Sequence, residues 1–398
     1  MPAIRFLRTH LQTTCPTIHA TRLTALLSAV EALLHHPRLT LTELGRALRS
    51  PALVKHNIKR MDRLLGNSQL HGERVALYTA LTQWLLGKVT APLIVVDWSP
   101  LTSDQQWQLL RASLPVHGRA LTIYEEVHPR KSLTNRRVHR AFLRHLRAVL
   151  PATVRPILVT DAGFRGTWFR LVEEVGWEWV GRIRNRTLMQ REGTTTWQPC
   201  KTLYAKATTR PTTLGPVQLV RSNPLRCVLH VVRQVPKGRV HKSVFGTPRR
   251  GWPSRKMAVR AREPWLLASS ASLQAQTATR IVTIYRTRMQ IEEAFRDLKS
   301  QRYGLGFSAS QTRIAERFAI LLLIGALALF VLWLVGQVAI QQQWQFRYQS
   351  NTRRRQAVLS MVTLGRCVLR RAAEVITKAQ MVSAFADLQA QLLKTNEG

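Results

Sequence analysis

The chain has 398 residues, 45% of them hydrophobic, so it can bury a substantial core and is long enough for two or three domains. Lys and Arg number 60 against 21 Asp and Glu, a formal charge of +39, which makes a polyanion the expected partner and puts nucleic acid ahead of a ribosomal or membrane surface. The four cysteines, Cys15, Cys200, Cys227 and Cys367, are scattered without a Cys-x-x-Cys pair, which argues against a zinc site or a disulfide framework and fits a reducing cytoplasm.

The opening residues are basic but carry no apolar stretch or small-residue cleavage site, so no secretory signal is expected. Residues 1–88 read as a helical domain, with amphipathic runs at 23–34 and 73–86. Within it, Thr42-Glu43-Leu44-Gly45-Arg46-Ala47-Leu48, a Ser50-Pro51 break and the run from Lys55 to Leu65 suit two helices joined by a short turn. Lys55, Lys59 and Arg63 recur every fourth residue, on a face distinct from Ile58, Met61 and Leu65, and are candidates for contact with a DNA groove or its phosphates. A solvated basic face is the alternative.

From Ala91 the character changes to α/β. Segments 93–97, 107–114 and 120–127 suggest an antiparallel meander, followed by a basic helix at about 134–150, a buried strand at 157–161, a helix near 167–175 and a short strand at 177–181. Residues 89–183 are expected to be the first part of this domain. Residues 184–262, rich in Thr, Pro and Arg, read as a β-rich insertion; its run 249–262 is either a DNA-contacting loop or a surface excursion. The domain resumes over 263–340 with Trp265-Leu266-Leu267-Ala268 and a long helix at about 277–299. The apolar run 318–340 is long enough to span a bilayer, but in so basic a chain it fits better as a helix buried in a large core. Residues 341–398 read as a basic helical region, densest in charge at Thr352-Arg353-Arg354-Arg355.

Acids are scarce here, so acids that close aliphatic strands need a reason. Asp97 follows Leu93-Ile94-Val95-Val96, and Asp161 follows Ile157-Leu158-Val159-Thr160. Ligands of α/β sheets gather at the carboxyl ends of such strands, although Ser99-Pro100 and Ala162-Gly163 also allow simple turn-capping roles. On the long helix, Tyr285, Arg288, Glu292 and Lys299 fall within roughly 60° of one another, at about 100° per residue. Ile281, Ile284, Ile291, Phe295 and Leu298 form the adjoining core stripe, and Glu293 and Asp297 are expected to turn outward. That selects Glu292, with a surface salt-bridge ladder as the alternative. Asp97, Asp161 and Glu292 together suit a site for two Mg²⁺ ions, which Mn²⁺ could replace, acting on phosphodiesters. Arg288 and Lys299 would hold the phosphate, and Tyr285 could donate to one of its oxygens.

Tyr285-x2-Arg288-x3-Glu292-x6-Lys299 resembles the YREK signature of the bacterial insertion-sequence-four transposase family. Asp97-Trp98-Ser99 and Asp161-Ala162-Gly163-Phe164 are similar to that family's first two acidic motifs, and the resemblance runs over nearly the whole chain. It implies an RNase H-like catalytic core interrupted by a β insertion, preceded by a helical DNA-binding domain and followed by a helical region suited to dimerisation. It also implies cut-and-paste transposition through a DNA hairpin, in a homodimer that pairs two element ends in the cytoplasm, with no membrane involved. Trp265 resembles the family's base-stacking Trp, while Met289 and Trp98 resemble residues that probe or support a flipped base. By composition alone Trp265 reads as a core residue.

Three other classes remain open. A transposase-derived regulator would bind DNA without cutting it, which the intact acids argue against. A nuclease or resolvase on the same core would cut without joining. A membrane-anchored basic protein would be recovered only with detergent.

Overall fold

The computed structural model describes all residues except 37, 185–186, 236–247, 249–250, 253–258, 260–261, 351, 353–355, 372–373 and 398. The basic runs expected at 249–262 and 353–355 therefore lie largely outside the described residues. The chain divides into two units, Met1–Val154 with Met289–Gly398, and Arg155–Arg288.

The first unit opens with five helices, α1 (Pro2–Thr14), α2 (Ala20–His35), α3 (Leu41–Ala47), α4 (Val54–Leu65) and α5 (Ser68–Leu86). Local chemistry sets several boundaries. Thr40 Oγ1 accepts the Glu43 amide at 3.3 Å to cap α3, and Asn67 Oδ1 accepts the Leu70 amide at 2.8 Å to cap α5. A Cβ at Gly45 would stand 2.6 Å from the Ile58 Cα, so only glycine lets α3 and α4 cross this closely. Met61, Leu64 and Leu65 turn α4 inward, leaving Lys55, Lys59 and Arg63 exposed on the opposite side.

Strands β1 (Leu93–Pro100), β2 (Trp107–Val116) and β3 (Arg119–Pro129) then form the expected antiparallel meander. Helix α6 (Arg136–Val149) is capped by Asn135, whose Oδ1 accepts the Arg137 amide at 2.9 Å. It buries His139, Phe142, Leu143, Leu146 and Val149 and exposes Arg136, Arg137, Arg140, Arg144 and Arg147.

In the second unit, β4 (Ile157–Thr160) leads through α7 (Gly166–Glu174) to the parallel strand β5 (Glu178–Ile183). Strands β6 (Leu188–Arg191), β7 (Gln198–Pro199), β8 (Thr212–Leu219), β9 (Leu225–Val232) and β10 (Trp265–Ser270) extend the same sheet in the order β4-β5-β10-β9-β8-β6-β7. The β-rich stretch thus continues the sheet, with β9 and β5 pairing to opposite edges of β10. Trp179 stacks on Phe169 at 3.9 Å between ring centres, and its amide donates to Ser270 Oγ at 2.7 Å. Helix α8 (Ala278–Arg286) completes the unit.

The chain returns to the first unit with α9 (Met289–Lys299), α10 (Ala315–Gln341), α11 (Gln345–Tyr348), α12 (Met361–Arg371) and α13 (Lys378–Glu397). Apolar on every side, α10 is long enough to cross a membrane, yet residues Phe318 through Ala339 are all buried within this unit. It packs on α1, α2, α4, α5, α9, α12, α13 and β3. Each fully buried Leu, Ile, Val or Phe adds about 1.5–3 kcal/mol, so the whole unit is organised around this helix.

Candidate functional site

In the first unit, Asp97 does not close its strand as the sequence suggests. β1 runs on to Pro100, because Asp97 through Pro100 keep pairing with Arg111 through Gln108 on β2. Alternation puts Asp97 and Ser99 on one face, with Arg111 beside Asp97 as its cross-strand neighbour. Asp97 is half-buried and accepts the Trp98 amide on Oδ1 at 2.8 Å.

Lys299, the last residue of α9, reaches this strand. Its ammonium donates to Ser99 Oγ at 2.6 Å and to the Pro100 carbonyl at 2.5 Å. Burial, and then the Arg111 charge, pull its pKa down to about 8 against the opposing pull of Asp97. Arg111 is fully buried, and its Nε donates to Glu125 Oε2 at 2.7 Å. Tyr78 Oη donates to the other oxygen of that carboxylate at 2.7 Å. The Arg111 and Lys299 cations both lie 5.3 Å from the centre of the Phe295 ring. Sequence reasoning missed this network; its one signal was Arg111 and Glu125 standing inside otherwise apolar strand runs.

Glu292 stands exposed in the first turn of α9. It precedes Lys299 by seven residues, so the two share a helix face about 10 Å apart along the axis. The expectation for its neighbours is corrected. Asp297 is buried rather than turned outward, because Arg119 Nε on β3 meets it at 2.7 Å; burial raises its pKa against that cation. Glu293 is half-buried and pairs with Arg119 and Arg296.

Trp98, half-buried beside Asp97, donates its indole N–H to His139 Nε2 at 3.2 Å and meets the His128 ring edge-on at 5.6 Å. Burial and the adjacent His128 lower the His139 pKa to about 4, which keeps its ring a neutral acceptor. Lys55, Lys59 and Arg63 remain on α4, and Met289, half-buried, begins α9.

The second unit assembles the other candidates. Asp161 directly follows β4, and its Oδ1 accepts the Gly163 amide at 2.8 Å, the local turn that the sequence allowed as an alternative. Tyr285 is buried, with its ring edge-on to Trp265 at 5.0 Å, and Arg288 lies 5.9 Å from the same ring. Burial raises the Tyr285 pKa, Arg288 and Arg182 oppose that rise, and Asp161 adds to it, so all five groups share one neighbourhood. Trp265 is half-buried at the start of β10.

The long helix of the sequence reading is two helices. The Thr287 hydroxyl donates to the Ile284 carbonyl at 2.7 Å, and the Thr287 and Arg288 amides turn back by three residues to Ile284 and Tyr285. Tyr285 is therefore on α8, Arg288 in the break, and Glu292 and Lys299 on α9. Carboxylate oxygens suit a hard divalent ion, but among the described residues no three His, Cys, Asp or Glu side chains are grouped to hold one.

Comparison with known proteins adds a family match. The model of the transposase DDE domain matches residues 90–330. No curated protein matches the chain. A solved cryo-EM structure of a piggyBac transposase synaptic complex with hairpin DNA is similar to it, with 10% identity, coverage of 99% of this chain and 78% of that one, and a TM-score of 0.41.

Proposed function

We propose, from the premise that the chain belongs to the transposase DDE domain family, that it is an insertion-sequence transposase of the insertion-sequence-four type, working by cut-and-paste through a DNA hairpin. The observation carrying this reading is the family match over residues 90–330, with the Tyr-Arg-Glu-Lys signature at Tyr285, Arg288, Glu292 and Lys299 inside it. The likeness to the transposase of transposon Tn-ten, through residues 40–67 and Met289-Gln290-Ile291-Glu292-Glu293, supports the finer assignment, as does a mixed α/β fold compatible with an RNase H-like core.

In this reading residues 1–88 bind the terminal inverted repeats, with Lys55, Lys59 and Arg63 on DNA phosphates. Residues 89–183 and 263–340 form the catalytic core, 184–262 the β insertion and 341–398 a dimerising region. Asp97, Asp161 and Glu292 would hold two Mg²⁺ ions. When bound, the ions supply a stronger nucleophile and a stabilised leaving oxygen. Arg288 and Lys299 hold the phosphate, and Tyr285 donates to it. Trp265 stacks a flipped base, with Trp98 and Met289 supporting the distortion. A nick exposes a 3′-hydroxyl, which attacks the opposite strand; water reopens the hairpin and the freed end joins target DNA. The work takes place on the nucleoid in the cytoplasm.

The exposed basic face of α4, with Lys55, Lys59 and Arg63, also fits a second reading, a DNA-binding regulator without cleavage. Incubating the protein with Mg²⁺, labelled ends of its element and target plasmid separates the two. Nicks, hairpins and joined products that vanish in Asp97→Ala, Asp161→Ala and Glu292→Ala, with end-binding retained, are expected. Binding without cleavage by the unaltered protein would assign the regulator, and cutting without joining a nuclease.

A further inference from the structure

Three charged side chains stand in one row across the meander of the first unit. Asp97 on β1 pairs directly with Arg111 on β2, and Arg111 pairs directly with Glu125 on β3, so the row reads carboxylate, guanidinium, carboxylate. Direct cross-strand partners share a face, with Cβ atoms about 5 Å apart. Arg111 and Glu125 are 0% and 1% exposed. The desolvation of two such charges offsets most of their mutual attraction, and apolar residues of similar volume would fill the same core with equal or better stability. Stability alone therefore gives this row no reason to be charged.

The guanidinium is pinned from one side. Its Nε and Nη2 lie 2.7 and 2.6 Å from Glu125 Oε2, and Glu125 Oε1 accepts the hydroxyl of buried Tyr78, on α5, at 2.7 Å. Its Nη1 is buried with no hydrogen-bond partner among the described residues. A buried donor left open is costly, so the place of this cation is maintained against its own hydrogen bonding. Phe295 and Lys299 lie next to it. The Arg111 guanidinium and the Lys299 ammonium are each 5.3 Å from the centre of the Phe295 ring. The ammonium is bonded to Ser99 Oγ and the Pro100 carbonyl, and Ser99 shares the face of Asp97 by strand alternation. Burial lowers the Lys299 pKa, Arg111 lowers it further and Asp97 opposes them, so these three charges act on one another.

We infer that Arg111, pinned by Glu125 and Tyr78, is a positioning residue for DNA strand cleavage that acts through Asp97 and Lys299. Its fixed charge attracts the Asp97 carboxylate across β1 and β2 and repels the Lys299 ammonium, which it confines to the acceptors at Ser99 and Pro100. Without that charge the ammonium and the carboxylate are drawn to each other, and both leave the places from which they act. This rests on the roles proposed above for Asp97 and Lys299. It adds to them three residues, Tyr78, Arg111 and Glu125, that lie outside the acidic and Tyr-Arg-Glu-Lys motifs.

The test removes the charges without opening the core. Arg111→Met with Glu125→Leu and Tyr78→Phe keeps the site filled with apolar groups, and Arg111→Gln with Glu125→Gln keeps a neutral hydrogen-bonded pair in case the first version does not fold. The full chain is given Mg²⁺ and labelled element ends. Each folded version should keep the parental Tm and end affinity, while cleavage at saturating ends falls roughly a hundredfold, the order expected for site groups displaced by about 1 Å. Arg111→Lys keeps a cation beside Asp97 without the planar fork, and should recover part of that loss. Parental cleavage in a folded neutral version would overturn the inference, as would Arg111→Lys cleaving no faster than the neutral versions. Cleavage that falls only in step with Tm would make the row structural and overturn it too. A parent that binds ends without cutting removes the proposed function and this inference together, whereas a cutting parent with unaffected variants removes this inference alone.

Discussion

Lys299 shows how one residue's surroundings set a pH window. Its ammonium is buried near Arg111, so its pKa falls to about 8 from 10.5, and it carries charge below that point and loses it above. DNA-end affinity at fixed salt should fall as pH rises from 7 to 9, and Lys299→Arg should flatten that fall because a guanidinium stays protonated. An unchanged profile in the variant would remove Lys299 from phosphate binding. His139 works at acid pH. Its ring is depressed to about 4 from 6.5, so the stability it contributes is complete above pH 6.5 and is lost as pH falls through about 4, when protonation takes away the acceptor of the Trp98 indole. His230, also pushed to about 4 by burial, adds a loss of the same sign. Thermal unfolding of His139→Gln across pH 4–7 should therefore show a shallower but non-zero slope, and a slope equal to that of the parent would refute the role. The sequence marked His139 only as one more residue of a basic helix. Its partner lies 41 positions away, and no local pattern connects them.

At the scale of elements, the helical periodicity of 54–65 made the exposed face of α4 legible, because amphipathicity is a local property of three or four turns. If that face holds phosphates, Lys55→Ala, Lys59→Ala and Arg63→Ala should each lower the salt slope of duplex binding by about 0.9 with no change in Tm. Retention of the full slope in the triple variant would leave α4 a solvated basic surface. The meander β1–β3 was legible for the same reason, since apolar runs broken by turn residues read directly. The break between α8 and α9 was not, because it depends on a single Thr287 hydroxyl competing for a carbonyl, and threonine occurs in many unbroken helices. Nor was the outward assignment of Asp297 sound. A helical wheel shows which way a residue points but not that Arg119, from β3, waits there to pair with it.

For the whole molecule, composition foresaw a polyanion-binding protein, and the family match over residues 90–330 agrees with that expectation. EDTA should leave DNA-end binding and Tm unaltered while stopping strand cleavage, with recovery on adding Mg²⁺ or Mn²⁺; cleavage that persists in the chelator would remove divalent ions from the proposed chemistry. The sequence by itself determined the excess of cations, the apolar α10, the strand runs that carry Asp97 and Asp161, and the spacing of the signature residues, all of which are local or additive properties. Only the tertiary structure decided that α10 is covered by seven helices and a strand of its own unit, that Lys299 reaches Ser99 and Pro100, that Tyr285 gathers Trp265 and Arg288, and that four arginines line one cavity. These facts join residues far apart in the chain, and burial, desolvation and pairing arise only after folding has brought such residues together.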